Sequence, residues 1–282
     1  MKTAPELPRR VRTLGPFVLL ALAAPALHLA LRAAGKEYCL TQLTMAAYYA
    51  IVVTGLALLM GYAGQVSLGH GAFFALGGYT SAVLTTYDFS RWSTALEWAR
   101  DARLLVVRED LYGGHLLTAN PWAGFFAAMV VTLSAAALIG YPALRLRGHY
   151  LAMATLGFGL IVAKLLTGSN LTGAADGING VPEWNFAPGL VVSGKSAVRG
   201  ENYYLAFGLL IAVLLLLRNI VHSRVGRALK SIHDGEKAAN AMGINTARYK
   251  LKVFLLSALL AAASGVFFTH YTGGIGPSEA GA

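Results

Sequence analysis

The sequence is poor in charge. Only 13% of its 282 residues are Asp, Glu, Lys or Arg, about half the share with which a soluble domain coats its surface. That shortage excludes an ordinary soluble domain of this length. Cysteine occurs once, at Cys39. A single thiol rules out an intrachain disulfide and a cysteine-rich metal site, and leaves a small packing residue as its simplest role. Acid is scarcer than base, 13 residues against 23. The glycine string at 61–78 has no Gly-Lys-Ser or Gly-Lys-Thr ending, and the chain is expected to carry no Walker A phosphate loop of its own. His28, His70, His115, His149 and His270 are scattered, without metal-ligand spacing or convergent catalytic groups, so neither a metal site nor a catalytic residue is expected.

What is present is long runs of Leu, Ala, Val and Phe. Charge-free tracts cover 13–31, 38–87, 111–144, 148–163, 202–217 and 253–278. A membrane span needs about 20 mostly apolar residues, so most of these tracts hold one span and the tract 38–87 is long enough for two. The expected spans are 14–34, 39–60, 66–87, 122–141, 147–167, 203–218 and 252–271. A β-barrel would alternate in short segments, which these runs do not. The fold class is therefore all-α, a polytopic transmembrane protein of about seven spans in a single membrane domain, 1–282. Arg32 and Lys164 sit near span ends, where they can snorkel. The first apolar run could be a cleaved secretory signal, but its 19 uncharged residues exceed a usual signal core and favour a first span.

Charge placement gives an orientation. Lys2, Arg9, Arg10 and Arg12 precede the first span, and eight Lys or Arg lie between Arg218 and Lys252. Both regions should be cytoplasmic under the positive-inside rule, and the six expected spans between them agree. Arg145 and Arg147 read as anchors on the same side. The loops around 88–110 and 167–201 then lie outside. In the second of these, Asn170 or Asp176 is expected to cap a glycine-rich turn.

Two stretches carry sharper patterns. The first, GYAGQVSLGHGAFFALGG at 61–78, packs six glycines into 18 residues between the second and third spans. It reads either as a tight turn, the plainer choice, or as a broken helix whose exposed backbone groups line a polar path. Gly64, Gln65, Ser67, Gly69, His70 and Gly71 are its candidate path or packing residues. Ser67, Gly71 and Ala75, spaced by four, would form a small-residue helix face. The second stretch, RVGRALKSIHDGEKAANAMGI at 224–244, places Val225, Leu229, Ile232, Ala239 and Met242 near one helical stripe. Gly235 interrupts it, Asp234 could cap a second short helix, and Gly243 could end that helix. Such a basic amphipathic pair could lie on anionic membrane lipid or enter a groove of a cytoplasmic partner. Nucleic acid is a poor partner for a lone basic patch between membrane spans.

These two stretches, with LRLRGHYLAMATL at 144–156, LTGAADGI at 171–178 and GGIGPSEA at 273–280, resemble the LivM-type permease subunits of bacterial ABC importers. That group transports branched-chain amino acids and lies within the wider branched-chain amino acid and urea permease family. The likeness runs along almost the whole chain. It implies that 219–251 is the coupling loop that docks onto an ATPase subunit, at positions matching the Glu-Ala-Ala loop of importer permeases. Arg224, Gly226, Arg227, Asp234, Glu236, Lys237, Ala238, Ala239 and Gly243 are its candidate residues. Lys237 stands where that loop has its name-giving acid, with Glu236 beside it.

The resemblance further implies a multi-pass protein of the bacterial inner membrane with a cytoplasmic N-terminus. Its partners would be a LivH-like second permease, LivG/LivF-like cytoplasmic ATPases and an extracytoplasmic amino-acid-binding protein. The chain itself would bind no cofactor, ATP being used by the partner subunits. A urea or short-amide permease shares the architecture, and a nontransporting scaffold would keep ATPase docking alone. Family membrane domains are longer, so the resemblance implies further hydrophobic spans after Ala282.

Overall fold

The computed structural model describes residues 9–90, 97–109, 115–143 and 149–280. Arg145 and Arg147 lie outside the described residues. The long helices are α1 (Arg9–Ala33), α2 (Cys39–Ala63), α3 (His70–Thr86), α5 (Pro121–Ala143), α6 (His149–Gly168), α7 (Arg199–His222) and α10 (Thr246–Thr272), with short helices α4 (Glu97–Asp101), α8 (Arg224–Asp234) and α9 (Glu236–Ala241). Six of them, all the long ones except α3, are long and apolar enough to cross a membrane. The polytopic helical class stands, and the count of about seven is corrected to six among the described residues. The third expected span is α3, whose 17 residues reach about 25 Å against a hydrocarbon core of about 30 Å. It is short because the chain before it, from Gln65 to Gly69, is not helical.

Short as it is, α3 sits at the centre. Its residues Phe73, Ala75 and Ala82 are fully buried, and it packs on α10, α5 and α6. Helices that are apolar all round gain little from hiding apolar surface within a membrane, so close backbone approach supplies the contact. A β-carbon on Gly77 would stand 2.5 Å from the Ala262 carbonyl oxygen, and one on Gly265 would strike the Phe74 carbonyl. The two helices run parallel and are bolted near both ends, by His70 to Ser257 and by Ser81 to His270, each at 2.9 Å. The expected face of Ser67, Gly71 and Ala75 does not form, because Ser67 precedes the helix. Gly77, Gly78 and Gly265 make the close approach instead.

The two long loops gather at one end. β1 (Leu105–Glu109) pairs antiparallel with β2 (His115–Ala119), and β4 (Trp184–Ala187) with β5 (Leu190–Val192). β3 (Ile178–Asn179) pairs with β6 (Gly274–Ile275), which ties the second loop to the end of α10. Arg108 donates to the Gly180 carbonyl at 3.3 Å and links both loops, as expected for segments on the same side. From this loop Trp184 drops into the helices, 1% exposed, and stacks on Phe267 with ring centroids 4.9 Å apart. The capping expected of Asn170 or Asp176 is replaced by Ser169, whose hydroxyl accepts from the Leu171 amide at 3.3 Å. The shift has a simple cause, since Asn170 is already inside a short 3-10 turn.

The α3–α10 contact should be intolerant of a single methyl group. Gly77→Ala is expected to destabilise the protein by about 1–3 kcal/mol, seen as a lower thermal midpoint in detergent. Gly157→Ala, with nothing within 4 Å of the new atom, should change it by less than about 0.5 kcal/mol.

Candidate functional site

The α2 helix ends in a left-handed cap at Gly64, φ 64° and ψ 24°, a conformation that glycine adopts without steric penalty. The chain then runs without helical structure until His70. The chain reverses direction here, because α2 runs antiparallel to α10 and α3 runs parallel to it, so the connection is a turn, made through a buried extended segment rather than a tight one. Gln65 and Ser67 are each 2% exposed, and a β-carbon on Gly69 would collide with the Thr155 carbonyl of α6. Backbone removed from water needs partners, and the Leu68 amide finds one in the Thr155 hydroxyl at 3.0 Å.

His70 closes the break. Its Nε2 lies 2.9 Å from the Ser257 hydroxyl, and its Nδ1 lies 2.9 Å from the Ser67 hydroxyl. Ser257 spends its own proton on the Phe254 carbonyl, 2.9 Å away. It must therefore accept from Nε2–H, which leaves Nδ1 to accept from Ser67. The arrangement satisfies a neutral imidazole completely and fastens the extended segment to α10. Gln65 differs, because both of its side-chain amide atoms are buried without a hydrogen-bond partner among the described residues. A cavity of about 360 Å³ opens beside the break, lined by Ser67, His70 and Gly71 with α2 opposite.

The basic stretch forms two short helices, as its pattern predicts. Ser223 caps α8 by accepting from the Val225 amide at 3.1 Å. Leu229 and Ile232 are buried, and so is Gly226 at the α7–α8 corner. Asp234 does not cap α9. It is the last residue of α8, and Gly235 holds the cap position with no side-chain bond. The end of α9 is as read. The Gly243 amide bonds to the Asn240 carbonyl and the Ile244 amide to the Ala239 carbonyl, with Gly243 at φ 84°, the Schellman arrangement.

Ala239 is fully buried, whereas Met242 is 69% exposed and leaves the expected apolar stripe. Arg224, Arg227, Lys237 and Ala238 are exposed and leave one broad basic surface. Glu236 turns inward, its carboxylate 2.7 Å from the Lys250 ammonium and 3.3 Å from the Thr246 hydroxyl, and pins α9 to α10. The pair also touches the break, since a β-carbon on Gly64 would stand 2.9 Å from His233 Nδ1 of α8.

Residues 38–282 match the family described as branched-chain amino acid transport system permease component. The chain belongs to this permease family. It is 30% identical over 256 residues to the high-affinity branched-chain amino acid transport system permease protein LivM of Salmonella typhimurium, covering 84% of this chain and 53% of that protein. LivM of Escherichia coli K12 matches with the same identity and coverage. The high-affinity branched-chain amino acid transport system permease protein LivH of Escherichia coli K12 is 24% identical over 247 residues, 83% of this chain and 70% of that protein. The chain thus spans about half the length of the LivM relatives that it matches. No solved structure matches it.

In this permease the structure brings the six glycine-string candidates to one place and the nine basic-stretch candidates to another, in contact through His233 and Gly64. It also adds residues that the sequence did not single out. Thr155 and Ser257, polar side chains inside otherwise apolar runs, were the available signal for partners of the break. Glu279, which lines the same cavity and accepts from the Tyr49 hydroxyl, is a further added residue.

The Glu236–Lys250 pair predicts a local effect. Glu236→Gln would leave the ammonium of Lys250, only 11% exposed, without its counter-charge at a local cost of about 1–3 kcal/mol. Hydrogen exchange of the α9 amides should then speed up by about tenfold or more, while exchange in α3 stays unchanged.

Proposed function

We propose that this chain is a permease subunit of an ABC importer that moves branched-chain or related neutral amino acids into the cytoplasm, powered by separate ATPase subunits. The observation that carries this reading is the α8–α9 pair. It is an exposed basic surface with a projecting Met242, built on helices whose inner face is packed against α2, α7 and α10. A helix pair held in this way can pass a push from a cytoplasmic partner to the break at Gly64 without unfolding. The names of the LivM and LivH relatives support the substrate class.

In this reading ATP chemistry belongs to LivG/LivF-like partners, and the chain itself is neither an enzyme nor a cofactor carrier: its Gly-x-x-x-x-Gly-Lys-Ser spelling at 189–196 holds strand β5 where a phosphate loop needs its cradle, and Lys195 is paired with Glu183 at 2.7 Å. A LivH-like permease completes the membrane part, and an extracytoplasmic binding protein delivers the solute to the loop end. The α8–α9 end faces the cytoplasm, as does the N-terminus, in keeping with the positive-inside rule. The protein sits in the bacterial inner membrane. Transport requires that ATP binding and hydrolysis shift the balance between outward-facing and inward-facing packings, since solute affinity alone cannot pump uphill.

Reconstitution of the chain with its neighbouring permease, ATPases and binding protein tests the proposal. ATP-dependent uptake of leucine without uptake of urea is expected. Urea uptake alone would make the urea and short-amide reading correct, and ATPase docking with no uptake of either would mark a scaffold. Met242→Asp should lower both uptake and transport-linked ATP hydrolysis about tenfold or more, as loss of an exposed apolar anchor at an interface does. Its thermal midpoint should not move, because the side chain makes little contact within the chain.

A further inference from the structure

Two of the spans break in the same way. The left-handed cap Gly64 ends α2, and the left-handed cap Gly273, φ 71° and ψ 15°, ends α10. Each follows a Tyr two positions earlier, Tyr62 and Tyr271, and each leads through extended chain into a new helical start. The two caps are 209 positions apart. The same shift carries Tyr48 onto Ser257 and Gly55 onto Ser264, and the contacts follow it. Gly55 packs on Ser257 of α10, while the Ser264 hydroxyl donates to the Tyr48 carbonyl of α2 at 2.6 Å. The pair α2 and α10 therefore crosses about a pseudo-two-fold axis, with one break at each end of the bundle, the pattern of an inverted repeat.

The shift also carries His70 onto Glu279. His70, just past the first break, bonds to Ser257 on α10, and Glu279, just past the second, accepts from the Tyr49 hydroxyl on α2 at 2.7 Å. Tyr49 lies near the middle of α2, so Glu279 sits deep within the span region. His70 and Glu279 line the same cavity of about 360 Å³, within the range of small-molecule sites. His70 is satisfied as a neutral ring, so the carboxylate of Glu279 is the one formal charge on the described lining. An ionisable group at that depth marks a functional site. Val52, Leu56 and Phe74 supply an apolar wall, and Gly71 lies in the first turn of α3, whose N-cap Gly69 makes no side-chain bond.

We propose that this cavity is the site for an α-amino-acid zwitterion with an aliphatic side chain. Glu279 holds the ammonium group with Tyr49 steadying its carboxylate, the start of α3 at His70 and Gly71 receives the solute carboxylate, and the Val52–Leu56–Phe74 wall takes the side chain. The assignment rests on the amino-acid importer reading above and deepens it. It favours an amino acid over urea, which has no cation for the carboxylate to hold.

The test uses the full chain in lipid nanodiscs and ligand-observed NMR with L-leucine, 4-methylpentanoate, which is leucine without its amino group, and urea. Glu279→Gln is expected to weaken leucine binding about tenfold or more while leaving 4-methylpentanoate unchanged, and Glu279→Asp to restore part of the loss. A merely structural role would lower both ligands together, and that result overturns the proposal. So do unchanged leucine binding in Glu279→Gln, urea bound as well as leucine, or a cavity filled by a co-purifying phospholipid with no leucine signal. ATP-driven leucine uptake by the assembled importer separates the two levels. Uptake that persists undiminished in Glu279→Gln defeats this site and leaves the importer reading intact, whereas wild-type assemblies that carry no amino acid defeat the importer reading itself.

Discussion

Backbone buried among apolar helices must have its amide and carbonyl groups bonded within the protein, and the stretch between Gly64 and His70 is where this chain meets that constraint. Ending a helix inside a bundle forfeits the regular ladder, so bonds must come from neighbours. Thr155 of α6 takes the Leu68 amide, Ser67 takes one side of His70, and Ser257 of α10 takes the other. Thr155 and Ser257 are short polar side chains on otherwise apolar helices, and Ser67 lies in the extended segment itself. The result joins α3, α6 and α10 at one level of the bundle.

Rigidity and freedom are distributed accordingly. The α3–α10 pair is held by glycine-mediated contact along its length and by a Ser–His bond near each end, so it behaves as one body. Gly64 and the extended residues after it are held by single bonds, the Leu68 amide to Thr155 and Ser67 to His70, rather than by a continuous contact, and they stand between that body and α2. His233 of α8 rests on Gly64, which places the amphipathic pair at the joint. Glu236 and Lys250 keep α9 fastened to the base of α10, so displacement of the pair would be felt on both sides of the break.

Much of this was legible in the sequence, for reasons that also mark where legibility stops. Apolar runs of helical length reveal membrane helices, and the glycine string reveals a discontinuity, because both are local properties. The uninterrupted charge-free tract from Tyr38 to Tyr87 does not reveal where the helix resumes, so α3 was given too many residues and Ser67 was placed on a helix face. In the basic stretch, Gly235 and Gly243 were readable as punctuation, but Asp234 closes α8 rather than opening α9. Met242 follows the stripe in sequence and leaves it in space because Gly235 turns the second helix. The inward turn of Glu236 depends on Lys250, and the burial of Trp184 depends on Phe267. Both are tertiary facts with no local signature.

The most direct test of the account is the number of leucine molecules imported per ATP hydrolysed by reconstituted importer carrying Gly64→Ala, compared with wild type at equal abundance. The substitution adds one methyl group at a left-handed residue and against His233, at the joint between the amphipathic pair and the break. The account predicts that hydrolysis continues while import per ATP falls severalfold. Import per ATP equal to that of wild type would contradict it.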